Sequence, residues 1–377
     1  MAGNIVEREL SAARSGRTGF AVATAADDAG IRRLLRENPM RGGISLSLER
    51  EPDYFADAGL PGETKHTIIA RRGGRIVCAG SCTIRPRFVN GNPCRVGYLG
   101  GLRLDGSVAG RFDVVRRGYE FFRAIQAGAP ADFYFTSIAA DNERARRLLE
   151  RGLPGMPLYE CIGDYVTVLL PARRRSGARS ATDAAAPPIE KLLASLNLHN
   201  RGHQFAPCWS VDELRALEPL GLGREDFRVV REGGRMVAGA ALWDQRVFKQ
   251  TVIREYATFL AMARPALNLA ARVTGAIRLP AVGQPLANAF ISNIAVAPDE
   301  PETLLGLLEE FRHLAAQRGI ALLTLGFAAG DPRLDALRGR FRGREYLSRL
   351  YVVRWPEWGG PAGELDGRIP APEVALL

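Results

Sequence analysis

The chain of 377 residues, 46% of them hydrophobic, is long enough to build two full-sized cores. Its net charge of +10 would suit an anionic partner. Only three of the 51 basic residues are lysine (Lys65, Lys191 and Lys249), however, and the arginines are scattered among Ala, Gly and Pro without interleaved aromatics, which reads as compositional bias and not as a nucleic-acid-binding face. No apolar run reaches the roughly 18 residues that span a bilayer, and MAGNIVERELSAARSGRTG at the start has no apolar core of a signal peptide, so neither nucleic acid nor membrane is expected as a partner.

Residues 1–18 read as an N-terminal extension. A strand is predicted over 19–25 (GFAVATA) and a helix over 27–38 (DDAGIRRLLREN). After a variable loop, RRGGRIVCAG at 71–80 reads as a hairpin turning on Gly73-Gly74, because glycine reaches positive φ at little cost. A strand over 97–104 (from YLGGLRL) comes next, then a helix over 114–125 (VVRRGYEFFRAI), whose apolar residues recur every three or four positions. A strand at 132–142, a helix capped by Asp141 and a strand at 159–171 close the first series. Residues 171–188, PARRRSGARSATDAAAPP, carry no large apolar side chain to offset the entropy of ordering, which marks a linker over 171–190.

The second half then repeats the first. REGGRMVAGA at 231–240 restates the Gly-Gly hairpin, and FISNIAV at 290–296 follows after a longer insert. The helix LLGLLEEFRHLAA (304–316), the strand ALLTLGFAAGD (321–331), a helix capped by Asp331 with Pro332 at its first position, and the strand YLSRLYVVRWP (346–356) keep the same order. The fold class is therefore α/β (α+β), from an ancestral duplication: units at 19–170 and 191–356, each a mixed, mostly antiparallel sheet with one parallel, splayed strand pair, flanked by helices, and a C-terminal tail at 357–377.

Five cysteines, an odd number with no CxxC pair, fit free thiols in a reducing cytoplasmic compartment. In LHNRGHQFAPCW (198–209), His199 and His203 stand four apart. Gly202 between them, Pro207 after them and the absence of an HExxH glutamate argue against a metal, leaving an acceptor-binding wall between the units or a packing loop.

The order opened by FAVATAADDAGIRRLL and centred on YLGGLRL…AGRFDVVRRGYEFF resembles the GNAT acetyltransferase superfamily over 19–170, and more faintly over about 225–356. The resemblance implies N-acyl transfer from acetyl-CoA or another acyl-CoA to a small-molecule or peptide amine. It implies that backbone groups of Leu102, Arg103 and Leu104 pair with the pantetheine arm, and that the pyrophosphate sits on the N-terminus of the next helix. The family's phosphate loop, Arg/Gln-x-x-Gly-x-Gly/Ala, falls on Ala109–Val114 and matches at none of its three signature positions. Gly110, Arg111 and Phe112 lie there, with Arg116 and Arg117 able to add charge. In the second unit the loop falls on Pro301–Gly306, keeps only Gly306 and brings Glu300 and Glu302, which implies scaffold and acceptor wall in place of donor binding. In the family's later helix pattern Asn142, Ala145 and Leu148 match, but Leu149 replaces the tyrosine that often serves as acid; Tyr98 is the remaining candidate for protonating a leaving thiolate. The alternative expectation is a non-catalytic ligand-binding or regulatory protein on the same fold.

Overall fold

The computed structural model describes residues 18–173, 187–274, 277–355 and 364–377. The bulk of the expected extension and linker, residues 1–17 and 174–186, and the first part of the tail, 357–363, therefore lie outside the described residues. The first repeat runs β1 (Gly19–Val22), α1 (Asp28–Glu37), β2 (Ile44–Glu49), β3 (Thr64–Arg72), β4 (Arg75–Val89), β5 (Asn92–Leu104), α2 (Phe112–Gln126), β6 (Phe133–Ala139), α3 (Glu143–Leu149) and β7 (Leu158–Pro171). The second runs α4 (Ile189–Asn200), α5 (Val211–Ala216), β8 (Phe227–Glu232), β9 (Arg235–Trp243), β10 (Gln250–Tyr256), α6 (Thr258–Thr274), β11 (Asn288–Ala295), α7 (Pro301–Gln317), β12 (Leu322–Ala328), α8 (Pro332–Arg340) and β13 (Arg344–Arg354).

The repeat reaches down to single residues. Gly73 and Gly74 turn the β3–β4 hairpin at φ +55° and +76°, and Gly233 and Gly234 turn the β8–β9 hairpin at +55° and +79°. Both hairpins then slip by one residue at the same place, between Ala70 and Arg71 in one and Val230 and Arg231 in the other. Each half holds one parallel pair, β5–β6 and β11–β12, among otherwise antiparallel neighbours. The helix caps differ in one detail from the expectation. Asp331 accepts from Arg333 N as expected, whereas α3 is capped by Asn142, whose Oδ1 accepts from Ala145 N at 3.2 Å, and not by Asp141.

The two halves share one sheet. Its eleven strands run β1-β3-β4-β5-β6-β13-β7-β12-β11-β9-β8, so the last strand of each repeat lies beside the penultimate strand of the other. The exchange carries core side chains with it. Val166, Val168 and Leu170 of β7 pack with Leu304, Leu308 and Phe311 of α7, while Val353 of β13 and the adjoining Trp355 pack with Cys82, Phe122 and Tyr134 of the first repeat. A second crossing joins β2 to β10 in a two-stranded ribbon, where Arg254 pairs with Glu49. Residues 364–377 are also built in: Gln204 N donates to Ile369 O (3.0 Å), and Ala375 is buried among Leu222, Trp243 and Phe248.

Fully burying one Val or Leu stabilises by about 1.5–3 kcal/mol, so the three from β7 alone rival much of the 5–15 kcal/mol net stability of an ordinary domain. Expressed separately, residues 1–173 and 187–377 should therefore each fail to give a cooperative thermal transition, and coexpression should restore one; an independently cooperative first half would show that β13 is dispensable to it.

Candidate active site

The first crevice opens where β5 leaves β6. Their parallel pairing lasts only from Val96↔Phe133 to Tyr98↔Phe135, and Thr136 Oγ1 donates to Leu99 O (2.6 Å) at the fork. Three residues after the last pair, Gly101 stands at φ +65°, in the bulge by which β5 shifts against β4. The strand then runs on through exposed Leu102 and half-buried Arg103 and Leu104, paired with β4 on one edge only. Their outer backbone edge faces no strand among the described residues, the geometry that the resemblance implies for a pantetheine arm. Arg103 has its pKa lowered by burial, and its Nε has no partner among the described residues.

The chain reaches α2 through a 3-10 turn at Gly106–Val108, where Asp105 accepts from Ser107 N (2.9 Å). Gly110 follows at φ +90°, and a Cβ there would overlap the Arg144 guanidinium from α3. Arg111 is the N-cap of α2, and no side chain caps the helix, so its first-turn N–H groups and dipole point outward at the loop. Arg111 lies 3.4 Å from Asp113, which moderates its charge. Arg116 is paired with Glu120 one turn on, and Arg117 reaches back to Thr18 O, so neither faces the loop as the sequence suggests; Arg144, which the sequence did not single out, does.

Phe112 packs against the cluster of Val115, Ile138, Leu149, Met156 and Tyr351. Leu149 is buried in the same cluster, so the side chain at the family's tyrosine position faces the core. Asn142 is spent as the α3 cap. Because Phe112 is half-buried, Phe112→Gly should lower unfolding stability by about 2 kcal/mol, part of the 3–5 expected for a fully buried ring, without tightening acyl-CoA binding; denaturant midpoints and calorimetric titration check this, and tighter binding at unchanged stability would contradict the packing role.

Tyr98 lies on the sheet face opposite α2. Its hydroxyl is 3.2 Å from Ser137 Oγ, its ring is 5.1 Å from that of Phe135, and burial raises its pKa, so it is a protonated donor at neutral pH. Its ring fills the space above Gly100, so that glycine makes room for the tyrosine and not for an acyl chain. Phe205, held against β4 by Phe205 N to Phe88 O (2.8 Å), covers this face together with Leu377. Lys249 donates to Leu377 O (3.0 Å) and Ala375 O (3.4 Å), so Leu377 is the residue that it shares with the Tyr98 face. Desolvation, then the nearby Arg50, lowers the Lys249 pKa to about 7. The sequence offered no base at this site; the overlooked signal is that one of only three lysines in an arginine-dominated chain stands here.

The second crevice repeats the first and is filled. β11 and β12 pair in parallel only from Asn288↔Leu322 to Phe290↔Thr324, and three residues on, Asn293 takes the place of Gly101 at φ +53°. Residues 370–374 enter this fork: Asn293 N donates to Glu373 Oε2 (2.7 Å), and Tyr165 OH donates to Pro372 O (2.8 Å). A small cleft of about 50 Å³ remains beside them, lined by His199, His203, Asn293, Asp331, Arg333 and Glu373 among others. The rings of His199 and His203 are 4.7 Å apart. Burial, then His203 and Arg333, lowers His199 to about 3, and burial with Arg333 lowers His203, so both imidazoles are neutral near pH 7. Arg333 is spent in a bidentate pair with Asp331 (2.9 and 2.6 Å), and Asn293 Oδ1 is buried without a partner among the described residues. The two histidines are thus together, at the second crevice and not at Tyr98. Their wall offers acceptors for N–H donors.

No protein-family model matches the sequence, and no curated protein sequence does. Solved structures do. The chain is similar to Saccharomyces cerevisiae N-myristoyltransferase with bound myristoyl-CoA at TM-score 0.60 and 11% identity, covering 90% of this chain and 83% of that one. It is similar to a GCN5-related N-acetyltransferase from Sphaerobacter thermophilus at TM-score 0.54 and 13% identity, covering 89% and 95%. Identities this low speak for the fold alone, and both matches run through the two repeats. The chain therefore has the fold of the GNAT superfamily.

Proposed function

We propose that the protein is an N-acyltransferase that binds acyl-CoA in the first crevice and carries the acyl group to an amine lying on the Tyr98 face. The observation that supports this best is the asymmetry of two matched forks, one open at Leu102–Leu104 and the other filled by residues 370–374. In this reading the first unit, 19–170, is the donor side, and the second, 191–356, supplies scaffold and acceptor wall. Backbone groups of Leu102, Arg103 and Leu104 would pair with the pantetheine arm, and the first turn of α2 with Gly110, Arg111 and Arg144 would take the pyrophosphate. Replacing Arg111 or Arg144 with Ala should weaken acyl-CoA binding about tenfold each, while Glu302→Ala at the second crevice should leave it unchanged; equal losses from both crevices would refute the asymmetry.

The amine must lose a proton before its lone pair attacks the thioester carbonyl. Neutral Lys249 would accept that proton, directly or through a water; as the C–S bond breaks, Tyr98 would protonate the departing thiolate, and Ser137 would hold the phenol in place. The acceptor's remainder would extend toward the cleft walled by His199 and His203, which favours an extended or peptide amine. Acetyl and longer acyl groups both remain compatible with the donor side.

Tyr98→Phe should slow turnover by on the order of 10² at unchanged acyl-CoA affinity, and in the native protein the rate should fall as pH drops through about 7. Stability gives an independent check. With a folded pKa near 7 against 10.5 unfolded, Lys249 leaves the unfolded chain binding more protons between those values, so its contribution to stability rises with pH across that window. Lys249→Met should abolish that rise and the acid limb of the rate; an unchanged pH profile for both would remove Lys249 from the mechanism. Burial of Leu149 where the family often places a tyrosine favours a second reading, a non-catalytic acyl-CoA binder. Binding without thiol release across a panel of amines and peptides would favour that reading.

A further inference from the structure

The insertion helix α6 is built inside out. Arg264 and Asn268 turn toward the body, where Arg264 Nε and Asn268 Nδ2 donate to Leu279 O (3.1 and 3.0 Å) and Leu279 N donates to Asn268 Oδ1 (2.7 Å). Phe259, Met262, Ala266 and Leu269, spaced to share one helical face, turn to solvent. Phe259 is 76% exposed, Met262 72% and Leu269 63%, and Val282 on the following loop is 58% exposed. An ordinary surface helix does the reverse, and an apolar ridge of this kind in water marks a face that something covers. The charge within this stretch of sequence is of one sign. Between Glu255 and Asp299 the sequence has no carboxylate and three arginines, Arg264, Arg272 and Arg278, the last exposed. Ala257 at the head of α6 is anchored by its N–H to Gly43 O (2.9 Å), which brings Met40 and Arg41, both exposed, to the same end. The nearest acid in sequence, Glu255, lies on β10, just before the helix.

We propose that α6 docks the protein on an anionic lipid surface, lying in the interfacial plane with Phe259, Met262 and Leu269 in the acyl boundary and exposed Arg278 and Arg41 at the phosphates. An exposed apolar ridge with exposed Arg41 and Arg278 near its ends, in a stretch with no carboxylate from 256 to 298, matches that surface in both hydrophobicity and charge. The helix spans about 25 Å along its axis, and no helix among the described residues is long and apolar enough to cross a membrane, so it lies on the bilayer and does not traverse it. The expectation of no membrane partner rested on the scatter of the arginines along the sequence and on the absence of a spanning segment, and neither bears on a local exposed ridge of this kind.

The test is cosedimentation of the full chain with phosphatidylglycerol-containing vesicles and with pure phosphatidylcholine vesicles, at low and high salt. The native protein should partition onto the anionic vesicles and be released by salt. Replacing Phe259, Met262 and Leu269 together with Ser should cut partitioning about tenfold or more at an unchanged melting temperature, and Arg278→Glu should weaken it and reduce its salt dependence. No partitioning onto anionic vesicles, equal partitioning of the triple variant, or a dimer in light scattering that the triple variant dissociates would each overturn the proposal, the last by making a second copy the occupant.

Discussion

The pairing of β7 with β13 at the centre of the sheet is the contact on which the rest of the molecule depends. Each strand ends one repeat and sits inside the other half's core, so neither half has a complete centre without its partner. A chain that had merely duplicated a folding unit could have kept two sheets joined by a hinge. Exchanging the last strands instead fixes the two halves relative to each other through ladders and buried side chains. The two forks on either side are thereby held at a set spacing.

That symmetry also explains why only one fork is free. A parallel pair that ends in a positive-φ residue three positions later must splay, and both halves carry that signature, in Gly101 and Asn293. Splayed strands leave backbone groups in need of partners. In the second half the chain supplies them from its own residues 370–374, which brings Leu377 to lie near both Tyr98 and Lys249. Filling one cleft thus furnishes the neighbourhood of the other.

Much of this was legible. The Gly-Gly hairpins, the helices α2 and α7 and the Asp331 cap follow from glycine conformation, apolar spacing and capping chemistry, and they alone betray the duplication. The strand exchange was not legible, because β7 and β13 have similar apolar stretches and nothing local says which neighbour each will choose. Asn142 and Asp141 are both good caps, and only the geometry of the loop decided between them. Phe112 and Leu149 looked like lost catalytic features and are core side chains. Ser137, Arg144 and Lys249 escaped notice for a common reason: each matters through a neighbour distant in sequence, Tyr98, Gly110 and Leu377 respectively. The tail was legible only as a length of chain, since RIPAPEVALL carries no periodicity to announce that it fills a cleft.

The stoichiometry of acyl-CoA binding bears most directly on the claim that one of two matched forks receives the donor. Calorimetric titration of the intact chain should return one equivalent of acetyl-CoA or of a longer acyl-CoA. Two equivalents would mean that residues 370–374 yield the second cleft to ligand, and none with any acyl-CoA would mean that the open fork at Leu102–Leu104 is not a donor site; either would contradict the account.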